Sequence, residues 1–142
     1  MTMKWIIMIS VLSLATLLPA QPDIFGVWET IDDKDGEPSS HLEIFKVGEK
    51  AYAKVVKIYD FPEDILCEPC KGDRHNQPVL GMEILWDMKC IGEVWKGGRI
   101  MDPENGKDYK CKITVNDDGS LAVRGYIGIP ALGRTQTWYR VK

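Results

Sequence analysis

The chain has 142 residues, with 21 acidic against 18 basic side chains and a formal net charge of -3. That length is enough for one domain with a real core. No stretch concentrates Lys or Arg, so neither a nucleic-acid partner nor an anionic membrane surface is expected. Lys46, Lys50, Lys54 and Lys57 interleave with Val, Ile and Tyr at strand spacing and read as a solvated strand face.

Residues 1–20 carry one positive charge at Lys4, an apolar run from Trp5 to Leu18, and the close Leu18-Pro19-Ala20. This is the three-part layout of a secretory signal peptide. The run is broken by Ser10, Ser13 and Thr16 and is shorter than the roughly 20 apolar residues of a membrane span. Cleavage after Ala20 is expected, leaving a single domain over 21–142. The expected location is periplasmic or secreted, where thiols oxidise and neither ATP nor NAD is at hand. No later run is long enough to cross a bilayer, and no cofactor is expected.

After residue 20 the chain reads as β almost throughout, in runs rich in Val, Ile, Tyr, Trp and Thr separated by Gly, Asn and Asp clusters. Eight strands are predicted, over 26–31, 41–47, 52–59, 82–87, 94–101, 108–115, 121–128 and 135–141. Turn chemistry stands at Val47-Gly48-Glu49-Lys50, Asn105-Gly106 and Asn116-Asp117-Asp118-Gly119. Tyr109, Cys111, Ile113 and Val115 alternate with polar residues, so one face is buried and the other wet. Leu121, Val123, Gly125 and Ile127 form a second apolar row. Gly97-Gly98 inside a strand predicts a bulge or sharp bend. The expectation is an all-β, up-and-down antiparallel barrel of eight strands, with a sandwich as the alternative.

One connection, about 60–78, has no strand signal and holds Cys67-Glu68-Pro69-Cys70. Loops of this length in compact domains are usually functional lids or disordered. Residues 61–66 are predicted to form one helical turn, with Pro62 at its first position. In an oxidising compartment the Cys67/Cys70 pair reads as a loop-shaping disulfide. A thiol-disulfide oxidoreductase is the alternative, but neither a helix start nor a βαβ pattern surrounds the motif. A zinc site would use Cys67, Cys70 and His75 and lacks a fourth ligand, so no metal is assigned. Cys90 and Cys111 are a candidate second disulfide.

Gly26-Val27-Trp28 near the start and Trp138-Tyr139-Arg140 near the end resemble the barrel-closing feature of lipocalins and other calycins. There an Arg from the last strand packs across a Trp of the first, with Gly leaving room for the ring. Gly26, Trp28, Trp138 and Arg140 are the residues so implied. A longer signature comprises Cys67-x-x-Cys70, Gly98-Arg99-Ile100-Met101-Asp102-Pro103-Glu104-Asn105-Gly106-Lys107-Asp108-Tyr109, and Arg124-Gly125-Tyr126-Ile127-Gly128 followed by Leu132-Gly133-Arg134-Thr135-Gln136-Thr137-Trp138. It is similar to the DUF2147 family of exported bacterial proteins. That resemblance implies a lipocalin-like barrel and a periplasmic or secreted location, and it supplies no reaction.

No catalytic residue is assigned. Asp102 with Glu104, and Asp32, Asp33 and Asp35, read as ordinary turn carboxylates, and His41 and His75 as surface residues. The surplus of tryptophan suggests an aromatic-lined cavity formed by Trp86, Trp95, Tyr109, Ile113, Val123 and Ile127. The leading functional expectation is therefore a non-enzymatic binding protein holding a small apolar or amphipathic ligand. The alternative is an interaction module with a filled barrel, which binds protein or glycan through its surface or the Arg124–Arg134 loop region.

Overall fold

The computed structural model describes residues 12–15 and 20–142. Most of the leader expected over 1–20 therefore lies outside the described residues. The eight strands are β1 (Gly26–Ile31), β2 (Pro38–Val47), β3 (Lys50–Ile58), β4 (Glu83–Ile91), β5 (Val94–Asp102), β6 (Lys107–Val115), β7 (Leu121–Tyr126) and β8 (Gly133–Arg140). Each pairs antiparallel with its chain neighbour, and β8 returns to β1 to close the barrel. The all-β up-and-down expectation is met, and the sandwich alternative is not.

Closure is narrow. β1 and β8 are in register only at Trp28↔Arg140 and Glu29↔Tyr139. Beyond that point Arg134 of β8 reaches Asp33 past the end of β1, at 3.0 Å.

Strand alternation sends the apolar rows inward, as in Cys111, Ile113, Leu121 and Val123, all buried. Trp28, Trp95 and Trp138 are the largest fully buried side chains. An eight-stranded barrel has an interior just wide enough for side chains to fill it. This one is filled.

Two predicted elements differ locally in the structure, and a predicted bulge is met. β4 continues to Ile91, where the prediction ended at residue 87. Along β3, Ala51 and Ala53 face Met88 and Leu85, so one extra residue is accommodated in β4. Asp87 takes it up with φ of 60°, a left-handed conformation that Asp tolerates better than most residues. The bulge breaks the two-residue period, and Leu85 and Met88 are both fully buried.

The helical turn predicted over 61–66 is a single tight turn, in which Ile65 N–H donates to Pro62 O at 3.0 Å. The chain then pairs with itself through a Leu66↔Pro78 bridge, and its short 3-10 turn lies at Gly72–Arg74 instead. The bulge expected at Gly97-Gly98 is present as a register shift between Lys96 and Gly98, with Gly97 at φ of 85°. Gly98 faces the β4 backbone and Met88 so closely that a Cβ would lie 2.7 Å from Met88 Sδ.

Candidate functional site

Up-and-down connectivity divides the loops between two ends. One end carries the β2–β3, β4–β5 and β6–β7 turns together with both chain termini of the barrel. Here the segment preceding β1 forms a plug. Ile24 is fully buried, Trp28 Nε1 donates to Ile24 O at 2.9 Å, and Trp95 Nε1 donates to Pro22 O at 3.1 Å. Phe25 meets Trp95 edge-on with centroids 5.5 Å apart.

The Arg140 guanidinium lies 4.2 Å above the Trp28 ring and donates to Phe25 O at 2.8 Å and Asp23 O at 3.2 Å. Gly26, at φ of 116°, leaves the space: a Cβ there would stand 3.0 Å from Arg140 Nη1. Trp138, buried nearby, donates from Nε1 to Gln136 Oε1 at 3.2 Å.

The six residues proposed to line a cavity do not converge on one. Trp95, Ile113 and Val123 are packed in the filled interior. Trp86 lies on the opposite strand face from buried Leu85, on the outer wall, beneath the Arg74 guanidinium at 4.5 Å. Tyr109 is half-buried on the inner face near the far end, where its hydroxyl accepts from Asn105 Nδ2 at 3.1 Å. Ile127 is 66% exposed beyond the end of β7.

Two clefts, of about 520 and 340 Å³, lie elsewhere. The larger is bounded by Val47, Lys50, Cys90 and Ile91, and the smaller by Arg74, Pro78, Leu80 and Glu83. Neither is lined by Trp95, Ile113 or Val123.

The other end of the barrel, its mouth, carries four loops: 32–37, 59–82, 103–106 and 127–132. The longest is stapled by a Cys67–Cys70 disulfide. Both sulfurs are buried against the β5–β6 turn, with Cys67 Sγ 3.5 Å from Pro103 O and Cys70 Sγ 3.8 Å from Met101 Sδ. Gly106 lets that turn meet the Pro69 carbonyl, where any side chain would collide.

His75 Nδ1 donates to Glu68 O and Cys70 O at 3.0 and 3.1 Å, so its ring pins the loop. The two sulfurs are thus committed to each other. Cys90 and Cys111, the candidate second pair, are free thiols. They stand on β4 and β6 with β5 between them. Two inter-strand steps of about 4.8 Å exceed the roughly 7 Å span of a disulfide.

Carboxylates from three loops meet at the mouth. Asp32, Asp60 and Glu104 bring their oxygens within 4.8 Å of one another. Burial, and then Asp102, Asp32 and Asp60, push the Glu104 carboxyl above its usual range, with Lys34 opposing. Among the described residues this is where three metal-ligating groups converge; Asp60 and Glu104 are exposed and Asp32 half-buried.

On the outer wall, His41 Nε2 lies 3.0 Å from Glu29 Oε2 and 3.1 Å from Tyr59 Oη. The hydroxyl against this histidine is thus that of Tyr59, while neighbouring Ser39 donates instead to Asp60 Oδ2 at 2.7 Å.

The β7–β8 connection is the one mouth loop without a charge. Its sequence is Ile127-Gly128-Ile129-Pro130-Ala131-Leu132, and Ile127, Ile129 and Leu132 are 66%, 59% and 74% exposed. Arg124 on β7 braces it, donating from Nε to Pro130 O at 2.7 Å and from Nη1 to Thr135 Oγ1 at 2.8 Å. The loop is held in shape from the polar side, and its aliphatic chains point away.

A closed eight-stranded antiparallel barrel with an Arg-on-Trp plug is the architecture of the lipocalin class. The fold is similar to that of protein HP1028 from the human pathogen Helicobacter pylori, a protein placed in the lipocalin family. The TM-score is 0.76 at 23% identity, over 84% of each chain. Among curated proteins, none matches the chain in sequence. Over residues 26–140 the chain matches the family described as "Uncharacterized protein conserved in bacteria (DUF2147)", and it belongs to that family.

Proposed function

We propose that the protein is an exported, non-enzymatic binding module that recognises its partner with the mouth end of the barrel. A single observation carries this reading: the interior is occupied by the protein's own tryptophans and aliphatic chains, while three large aliphatic residues stand exposed on a braced loop at the rim. A ligand enclosed as in an open calyx would have to displace Trp95, Ile113 or Val123 from close packing. A partner at the rim displaces only water. Export is supported by the leader pattern over 1–20 and by a disulfide of the kind that persists in oxidising compartments.

Native mass spectrometry of protein purified from its own host separates the two modes. The expected result is the bare polypeptide mass after desalting, with no quenching of tryptophan fluorescence by fatty acids. A retained small molecule that leaves on denaturation overturns the rim reading in favour of an enclosed ligand.

A further inference from the structure

Three exposed aliphatic side chains within six residues form a patch, unlike scattered surface leucines, which need no explanation. The patch is also preorganised. Leu132 N–H donates to Ile129 O at 3.1 Å, closing a 3-10 turn, and Arg124 fixes the Pro130 carbonyl from below. Gly133 lets the loop run close to β7, since a Cβ there would lie 2.8 Å from Tyr126 Cβ. A loop of this composition left to itself would fold its aliphatic chains back onto the barrel. Held open, it meets a partner without a further ordering cost.

The surroundings select the partner's charge. The four mouth loops together hold ten Asp and Glu side chains against three Lys and Arg. Of the two arginines beside the apolar loop, Arg134 is neutralised by Asp33 at 3.0 Å, and Arg124 is turned under the loop onto the Pro130 carbonyl and the Thr135 hydroxyl. The Asp32, Asp60 and Glu104 carboxylates converge within 4.8 Å of one another, and burial, then Asp102 and these neighbours, raise the proton affinity of Glu104. An apolar ridge beside an acidic rim complements a chain that is apolar on one side and basic on the other.

The same charge argues against two other occupants. An anionic lipid surface would be repelled by the rim. A second copy of this chain, docking by the usual two-fold, would set acidic rim against acidic rim.

We infer that the mouth of the barrel docks a cationic amphipathic polypeptide segment, whose apolar side covers Ile127, Ile129 and Leu132 and whose basic side meets the acidic loops. This rests on the rim-binding reading above and adds the partner's chemistry.

The test uses short fluorescein-labelled peptides followed by anisotropy: a Leu/Lys amphipathic helix, its Leu/Glu counterpart and a Ser/Lys control. The Leu/Lys peptide is expected to bind, and the other two to bind weakly or not at all. Replacing the apolar ridge (Ile127→Ser, Ile129→Ser, Leu132→Ser) should weaken Leu/Lys binding by about tenfold or more. The variant Asp32→Asn, Asp60→Asn, Glu104→Gln should weaken it several-fold at low salt, and raised salt should erase that difference.

Exposed Val47→Ser with Ile91→Ser, at the opposite end, should change nothing, and thermal midpoints confirm that the variants are folded. If the ridge variant loses the Leu/Lys and Leu/Glu peptides equally, the rim binds but the cationic partner is wrong. If the ridge variant keeps full affinity for every peptide, the rim reading fails too. Co-sedimentation with phosphatidylglycerol vesicles in place of peptide binding would overturn the proposal in favour of a lipid surface.

Discussion

Replacing Arg140 by Ala tests the plug that ends the barrel. The guanidinium stacks 4.2 Å over the Trp28 ring, which attraction is worth about 1 kcal/mol at a solvent-facing site. Its bonds to Phe25 O and Asp23 O tie the plug segment to the last strand. Arg140 is itself exposed, and both carbonyls can be rehydrated once it is gone, so together these bonds contribute about 1 kcal/mol rather than their buried value. Trp28 has no exposed surface while Arg140 covers it, and baring one ring face of roughly 40 Å² costs about 1 kcal/mol more. Arg140→Ala should therefore lose about 3 kcal/mol, or roughly 10 °C in melting midpoint for a domain of this size. Arg140→Lys keeps the cation but not the planar fork that stacks and donates twice, so it should recover less than half of the loss. Urea titration read by tryptophan emission measures both variants, and the native-state emission of Arg140→Ala should shift to the red. The reasoning is refuted if Arg140→Ala costs under about 0.5 kcal/mol, or if Lys restores the wild-type midpoint in full.

Replacing Cys67 and Cys70 by Ser should cost only the low end of the disulfide range, about 1 kcal/mol, because so short a loop loses little unfolded-state entropy. The same variant should raise hydrogen exchange across 59–82 while leaving the strands protected; uniform acceleration would contradict a local staple. Iodoacetamide should label half-buried Cys90 in the native protein but reach Cys111 only on unfolding, since burial pushes that thiol up to about 12. Peptide mapping by mass spectrometry reads both sites. Tyr52 donates to Asp87 Oδ1 at 2.9 Å, and that bond holds the Asp87 carboxyl below its usual range. A carboxylate with a depressed folded pKa contributes stability above its unfolded value and loses it as pH falls through the folded one. Tyr52→Phe should therefore lower the neutral-pH midpoint slightly and flatten its acid dependence. An unchanged acid limb would count against the pairing.

Much of the architecture is legible from local chemistry. Period-two rows such as Cys111-x-Ile113 and Leu121-x-Val123 mark one buried face, and the turns between them carry residues suited to positive φ. The plug is legible because Gly26, Trp28 and Arg140 lie near the ends of the chain, and closing an up-and-down barrel must bring those ends together. The fate of Trp86 is not legible. Strict alternation back from Met88 puts Trp86 inside, and the bulge at Asp87 sends it out beneath Arg74. A single left-handed residue reverses the parity at Leu85 and Trp86, and a second register shift before Leu85 restores it, so that Ile84 is buried as well. The meeting of Asp32, Asp60 and Glu104 is equally hidden, since it depends on how three loops far apart in sequence settle on one rim.

Whether a small barrel is open or filled depends on volumes, and hydrophobic pattern does not carry volume. An aromatic row lining a cavity and one filling it have the same periodicity. Here Trp28, Trp95 and Trp138 are all fully buried, and the indole nitrogens of Trp28 and Trp95 bond to the plug segment. They are tied into one closed end rather than left as a wall. Their burial moves chemistry to the loops, where a rigid scaffold can present side chains whose identity folding does not constrain. Of the four mouth loops, three are turned toward solvent by charge and one by its brace to Arg124. Nothing in the barrel's stability requires Ile127, Ile129 or Leu132 to be aliphatic. Exposed aliphatic residues with no internal reason to be aliphatic, at the rim of an interior with no room, are the ground on which the proposed rim site rests.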